Sequence, residues 1–153
     1  DDKLALLNRR LVGTAVGYGR GAGAVHAKAA EAAEVAPSVA ADRAAFAARN
    51  KIAISGDGDL INEVASKGAG YVNAVPAAAL PAPLAAMAPE KRAEFVAQKK
   101  AERDEVMKEI ERVSGEREAY MKKSAAAKPK ARAGFDDNVR KTLVEQSAGV
   151  LAF

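Results

Sequence analysis

Leucines at helical spacing open the chain. Leu4, Leu7 and Leu11 recur at steps of three and four residues, which places their side chains on one face of an α-helix. We therefore expect a helix over residues 2–12. Glycine is a frequent helix terminator, so this helix should end near Gly13.

Two alanine-rich segments follow, and their composition favours helix. The first spans Ala24 to Val35 and the second spans Val39 to Lys51, with Pro37 between them. Proline interrupts a helix because it lacks a backbone donor and clashes with the preceding turn. Ser38 is of a residue type that commonly caps a helix, and we predict that it is the N-cap of the second segment.

Glycine-rich segments divide the first half of the chain. Residues 14–18 have room for at most one very short strand before the dense glycines of 17–23, which predict a turn. Residues 55–59 form a second predicted turn. It leads into a short helix over Leu60 to Ser66, with Asp59 as its N-cap and Gly68 as its end.

The longest predicted helix spans Pro89 to Lys123 and is rich in charged residues. Proline fits the first helical position, and Glu90 complements the positive end of the helix. Lys99, Arg103 and Arg117 interrupt the heptad seam, which favours packing on the same chain or on a partner over a sustained coiled-coil dimer. The candidate packing or partner-binding residues are Phe95, Val106, Ile110, Val113 and Tyr120. Ser114-Gly115 is where a bend or a break into a helical hairpin is expected.

These elements define the expected organisation, a mainly α fold with at most one short strand near 14–18. A small helical region over 1–73 is followed by a proline- and alanine-rich linker over 74–88, predicted to be extended, and by the long helix over about 89–123. A basic linker over 124–134 and a C-terminal helix over 135–153 complete the chain. We expect one module or a fragment of a larger protein, because 153 residues are enough for one ordinary domain.

Composition predicts a thin core. Hydrophobic residues make up 49% of the chain but aromatic residues only 5%, so most of the apolar content is alanine, which buries little surface. The expected core residues are the larger side chains on the predicted helices: Leu4, Leu7, Leu11, Phe46, Leu60, Ile61, Phe95, Val106, Ile110, Val113, Tyr120, Phe135, Val139 and Leu143.

Positive charge is concentrated near the end of the chain. Five basic residues supply more than the whole net charge of +4, with no acidic residue among them: Lys122, Lys123, Lys128, Lys130 and Arg132. They are the candidate polyanion-binding residues. Because the charge belongs to one tail and not to a folded face, nucleic-acid binding is the alternative and not the leading hypothesis.

The residues needed for catalysis or metal binding are scarce. The chain has no cysteine, which excludes thiolate catalysis and zinc-thiolate sites, and its one histidine, His26, is expected on a helix surface. Gly17, Gly19 and Ala22 approximate a dinucleotide fingerprint without a βαβ unit around it, so we interpret them as a turn. We expect no catalytic, cofactor-binding or metal-binding residues and no enzyme.

Asp57 and Asp59 have the spacing of the first ligands of a calcium loop. The next ligand position is Ile61, and the terminal glutamate is missing at the required place. A turn followed by an N-cap is therefore the preferred interpretation. No run of apolar residues in the sequence is long enough to predict a membrane-spanning helix.

The order of short motifs resembles the region that follows the central sheet in bacterial exported proteins with a von Willebrand factor A domain. The matching segments are Leu7-Asn8, Val16-Gly17-Tyr18-Gly19, Arg43-Ala44-Ala45, Asp59-Leu60-Ile61, Leu80-Pro81, Met87-Ala88-Pro89-Glu90-Lys91-Arg92, Arg117-Glu118-Ala119-Tyr120 and Phe135-Asp136. The tryptophan and proline usual in two of these motifs are missing, as is the metal-binding Asp-x-Ser-x-Ser sequence. Metal-dependent adhesion is therefore not expected of this chain.

The resemblance implies a C-terminal helical part of such a protein, located in the bacterial periplasm, the cell envelope or the medium. We expect a non-enzymatic interaction or scaffold module without a cofactor. Its partner would be another protein or the rest of its own precursor. The alternative function is nucleic-acid binding through the basic segment Lys122 to Arg132.

Overall fold

Six α-helices and three short 3-10 turns form the fold within residues 1–127, the part of the chain that the computed structural model describes. The helices are α1 Asp2–Val12, α2 Ala22–Glu34, α3 Pro37–Asn50, α4 Leu60–Lys67, α5 Ala82–Ala85 and α6 Pro89–Ala127. The 3-10 turns span Gly19–Gly21, Ala69–Asn73 and Ala77–Ala79.

The mainly α prediction is confirmed. Within residues 1–127 there is no strand, and the short strand expected near 14–18 is reduced to one isolated antiparallel bridge between Gly17 and Asp59. Two backbone hydrogen bonds flank this bridge, from Tyr18 N to Gly58 O at 2.9 Å and from Leu60 N to Val16 O at 2.8 Å.

The chain divides into two units, Asp1–Arg117 and Glu118–Phe153. Helix α6 supplies the end of the first unit and the beginning of the second. The expected C-terminal helix over 135–153 and residues 128–134 of the expected basic linker lie outside the described residues. Residues 124–127 of that linker continue α6.

The main core of the first unit joins α1, α3 and α6. The leucines at helical spacing on α1 are buried as predicted, and they pack in one cluster with the small side chains of α3 and the apolar face of α6. Alanines on α3 allow helices to approach closely, because the distance between helix axes depends on the side chains at the contact. The cluster contains Leu4, Leu7, Leu11, Ala41, Ala44, Ala47, Ala48, Ala53, Val106, Met107, Ile110 and Val113.

A second cluster surrounds α4 and includes the proline- and alanine-rich segment. Leu60, Ile61 and Val64 of α4 pack with Val72, Val75, Leu80, Leu84 and Val96. The extended conformation expected for 74–88 is therefore wrong. Pro76 is the N-cap of the 3-10 turn Ala77–Ala79, Pro81 is the N-cap of α5, and Pro83 lies in the first turn of α5, where proline is tolerated. Leu80 and Leu84 are buried in the second cluster.

Hydrogen bonds with the start of α6 also hold this segment and the residue before it in place. Arg92 donates from Nε to Leu84 O at 2.9 Å and from Nη2 to Ala85 O at 2.7 Å, so it binds the last carbonyls of α5. Asn73 Nδ2 donates to Pro89 O at 3.1 Å. The segment is thus part of the folded unit.

Three local expectations are corrected. Ser38 lies inside α3, whose N-cap is Ala36, because Pro37 already occupies the first helical position. Phe46 is 54% exposed and does not belong to the core, where the alanine face of α3 is used instead. Helix α6 continues through Ser114-Gly115 without a break, since the glycine penalty of about 1 kcal/mol is small against the cooperativity of a long helix.

Candidate functional site

The carboxylate of Asp59 organises the start of α4. Its Oδ1 accepts a hydrogen bond from Ile61 N at 3.1 Å, which confirms the predicted N-cap. The same oxygen accepts a second bond from Val16 N at 3.2 Å. Asp59 thereby connects the segment after α1 to α4, and its side chain is completely buried.

The guanidinium of Arg103 is the buried partner of Asp59. Arg103 lies on α6 and is only 3% exposed. Its Nη2 lies 2.8 Å from Asp59 Oδ2, and its Nη1 donates to Asn62 Oδ1 at 2.7 Å. Its Nε donates to Thr14 Oγ1 at 2.9 Å. One side chain of α6 therefore binds three segments of the first unit.

We call Thr14, Asp59, Asn62 and Arg103 the arginine cluster. Its outer members make further bonds, since Thr14 Oγ1 donates to Leu11 O at 2.6 Å and Asn62 Nδ2 donates to Ile54 O at 3.2 Å. The cluster thus joins the end of α1, the loop before α4, α4 itself and α6.

Burial sets the electrostatics of this cluster. Desolvation lowers the pKa of Arg103, and the charges of Asp59 and Asp104 act in the opposite direction. A guanidinium remains protonated in proteins, so Arg103 and Asp59 form a buried ion pair. Within residues 1–127, Arg103 Nη2 and Asp59 Oδ2 have no hydrogen-bond partner, and their contact at 2.8 Å is an ion pair. Because the groups of the cluster are bound internally, their arrangement positions helices and offers no free group to a substrate.

Sequence reasoning missed the role of Arg103, which it interpreted only as an interruption of the heptad seam. The residue lies on the same face of α6 as Val106, Ile110 and Val113, all of which are buried. A single arginine within an apolar stripe is the available signal for a buried ion pair, because an unpaired buried charge is strongly unfavourable. Its partner could not be identified, since Asp59 is distant in sequence.

The glycine-rich turns pack directly against each other. A Cβ atom added at Gly21 would lie 2.8 Å from Gly58 Cα, and one added at Gly58 would lie 2.6 Å from Gly21 Cα. Gly58 also has a positive φ of 98°, a conformation that favours glycine. The interpretation as a turn therefore accounts for these glycines by close backbone contact.

The other candidate residues are the pair Asp57 and Asp59 and the single histidine, His26. Asp57 is exposed. Asp59 Oδ1 caps α4 and Asp59 Oδ2 pairs with Arg103, so the predicted N-cap role of Asp59 is confirmed. Within residues 1–127 no group of three or more histidine, cysteine, aspartate or glutamate side chains is placed to bind a metal ion. His26 is exposed on α2 as predicted.

Two tyrosines form an unpredicted contact beside the second cluster. The hydroxyl oxygens of Tyr18 and Tyr71 lie 3.4 Å apart, and Lys67 Nζ lies 4.4 Å from the centre of the Tyr71 ring. The hydrogen bond with Tyr71, together with burial and the charge of Glu63, raises the pKa of Tyr18 above its ordinary value.

The predicted packing residues of the long helix differ in burial. Val106, Ile110 and Val113 are buried in the main core, and Phe95 is half-buried against the second cluster. Tyr120 is 71% exposed, so the expectation that it belongs to the core is wrong. Its alternative role in binding a partner stays a prediction.

The candidate polyanion-binding residues are only partly described. Lys122 and Lys123 are exposed on α6. Lys128, Lys130 and Arg132 lie outside the described residues.

Neither a protein-family model, nor a curated protein, nor a solved structure matches the chain. The resemblance to proteins with a von Willebrand factor A domain therefore stays a prediction. None of the helices within residues 1–127 has an apolar stretch long enough to cross a bilayer.

Proposed function

We propose that the protein is a non-enzymatic helical interaction module of a bacterial envelope or secreted protein. The supporting observation is the exposure of two large side chains on α6, with Tyr120 71% exposed and Met121 58% exposed. Tyrosine and methionine are enriched in protein interfaces relative to the rest of the surface. The order of the sequence motifs supports the location, and the internally bound arginine cluster is consistent with a scaffold.

The partner is a protein that presents an apolar surface bordered by acidic residues. Lys122 and Lys123 follow Tyr120 and Met121 directly and are exposed. Charge complementarity at the rim of an interface contributes specificity and speeds association. The rest of the chain's own precursor is included among such partners.

Site-specific photo-crosslinking in the producing cells tests this function. We expect p-benzoylphenylalanine in place of Tyr120 to capture a protein, whereas the same group in place of the exposed Lys108, on the part of α6 in the first unit, should not. The captured protein, once purified, should bind the wild-type chain. The double variant Tyr120→Asp, Met121→Asp should weaken this binding by about tenfold or more.

Leu6→Asp is the matched control, because Leu6 is also 58% exposed but lies on α1. It should leave the affinity unchanged. Equal losses in both variants, or crosslinks at position 120 that contain no protein, would contradict the proposal.

Nucleic-acid binding is the second candidate function, favoured by the two exposed lysines on α6. The affinity should then fall steeply as salt concentration rises, because bound counterions are released. Lys122→Gln with Lys123→Gln should reduce the salt dependence, whereas Lys99→Gln with Lys100→Gln should not. Binding to duplex or single-stranded oligonucleotides that is unchanged by the first pair would argue against this function.

A further inference from the structure

A groove of about 570 Å³ lies on the first unit between residues 17–26 and residues 76–81. Its volume lies within the range of small-molecule sites, roughly 300–1,000 Å³. The walls are mostly apolar. The residues that line it are Gly17, Gly19, Arg20, Ala22, His26, Pro76, Ala78, Ala79, Leu80 and Pro81.

The one charged side chain among the lining residues of this groove is basic. Arg20 and His26 are its only polar side chains, and no acidic residue lines it. Both are exposed. Within residues 1–127 no carboxylate lies within ion-pair distance of Arg20. The exposed guanidinium of Arg20 is therefore available to a ligand.

We propose that this groove binds a small organic anion, with its carboxylate or phosphate group at Arg20 and His26. A guanidinium binds such groups through two parallel hydrogen bonds, and an imidazole N–H adds a third donor. The apolar part of the ligand packs against Leu80 and the flanking prolines. This combination of apolar walls and a few polar groups is typical of small-molecule sites.

The glycine turn limits the size of the ligand. The space beside Gly17 is already filled, because a Cβ atom there would lie 2.9 Å from Ala22 O and 3.0 Å from His26 Nε2. A pyrophosphate therefore cannot approach Gly17 from the side of this Cβ position. The space at Gly19 is open, because apart from its two chain neighbours no heavy atom lies within 4 Å of the position of a Cβ. Gly19 and Arg20 both line the groove, so we assign a single anionic group to this open side.

Titrations monitored by backbone amide NMR of the full chain test the site. The probes are phenyl phosphate, benzoate, inorganic phosphate and the neutral benzyl alcohol. We expect saturable shifts at Gly19, Arg20 and Ala79 with phenyl phosphate or benzoate, at a Kd below about 1 mM. Inorganic phosphate and benzyl alcohol should each bind about tenfold more weakly, because phosphate lacks the apolar ring and benzyl alcohol lacks the negative charge. The tighter of the two aromatic anions identifies the anionic group.

Two variants and a control complete the test. Arg20→Gln should weaken binding about tenfold or more, and Ala78→Phe should weaken it by filling the groove from an exposed position. Arg49→Gln, on the exposed surface of α3, should have no effect. The proposal is overturned if neither aromatic anion saturates, if benzyl alcohol binds as tightly as they do, or if Arg20→Gln and Arg49→Gln behave alike. The result is independent of the interaction surface near Tyr120.

Discussion

The two parts of α6 differ in the burial of their side chains. The part in the first unit, residues 89–117, buries one stripe of side chains: Val96, Arg103, Val106, Met107, Ile110 and Val113. The part in the second unit, residues 118–127, has no buried side chain. Both parts are helical, so helix formation alone does not indicate packing. The apolar stripe marks the packed part, and the later part is helical through residues of high helix propensity.

The largest effect should come from Arg103→Met. This change leaves Asp59 buried without its partner, and we expect the free energy of unfolding to fall by about 3–5 kcal/mol, as measured by urea denaturation. Lys99→Met is the control, because Lys99 lies one turn earlier on α6 and forms an exposed pair with Glu102. It should change stability by less than about 0.5 kcal/mol.

A second substitution separates charge from packing in the arginine cluster. Adding Asp59→Asn to Arg103→Met removes the unpaired charge and keeps an N-cap residue, so part of the lost stability should return. Equal stability of the single and the double variant would show that the ion pair is not the source of the effect.

Ile110→Ala should produce the next largest effect. Ile110 is fully buried in the main core, and its truncation should cost about 2–5 kcal/mol in thermal or urea unfolding. Met121→Ala removes a side chain of similar size from the other part of α6, where it is 58% exposed. The second change should cost less than about 0.5 kcal/mol. Similar losses in both would contradict the difference between the two parts.

Gly115→Ala should stabilise the protein by about 0.4–1 kcal/mol, measured as a rise in Tm. Gly115 is exposed within α6, and apart from its chain neighbours and the adjacent helix backbone no heavy atom lies within 4 Å of the position of its Cβ, so alanine adds helix propensity without a clash. Gly21→Ala should act in the opposite direction, because its Cβ would lie 2.7 Å from Asp57 O. A destabilising Gly115→Ala would show that the helix needs glycine there.

The smallest effect is expected at the last residue of the first unit. Arg117 Nε lies 2.7 Å from Asp1 Oδ1, and Arg117 Nη1 lies 2.8 Å from Asp42 Oδ1. Because both contacts are exposed to solvent, Arg117→Gln should cost about 0.2–1 kcal/mol at low salt and less at high salt. Lys122→Gln should show no such salt-dependent loss. Loss of stability that is insensitive to salt would mean that Arg117 acts through packing.

Sequence patterns predicted the helices and helix ends that depend on residues close together in the chain. Spacing of leucines located α1, and the residue types at Asp59 and Gly68 located both ends of α4. The proline start of α6 was also predicted. These features depend on side-chain periodicity and on backbone bonds within one turn, which a sequence shows directly.

Features that depend on distant residues were not predicted. Arg103 is buried because Thr14, Asp59 and Asn62 surround it, and no local pattern indicates their proximity. Phe46 is exposed because the packed face of α3 consists of alanines and Phe46 lies outside that face. The segment 74–88 is folded because Leu80 and Leu84 meet α4 and α6 in one cluster. The groove at Arg20 likewise unites segments far apart in the sequence.

The close contact of Gly21 with Gly58 has an evolutionary consequence. A methyl group at either position would collide with the backbone of the other turn, so neither glycine can be replaced while the two turns keep this contact. Homologues with this fold should therefore show glycine at both positions together, or lose both together with a rearranged loop. Such covariation would identify distant relatives whose overall sequence similarity is too low to reveal them.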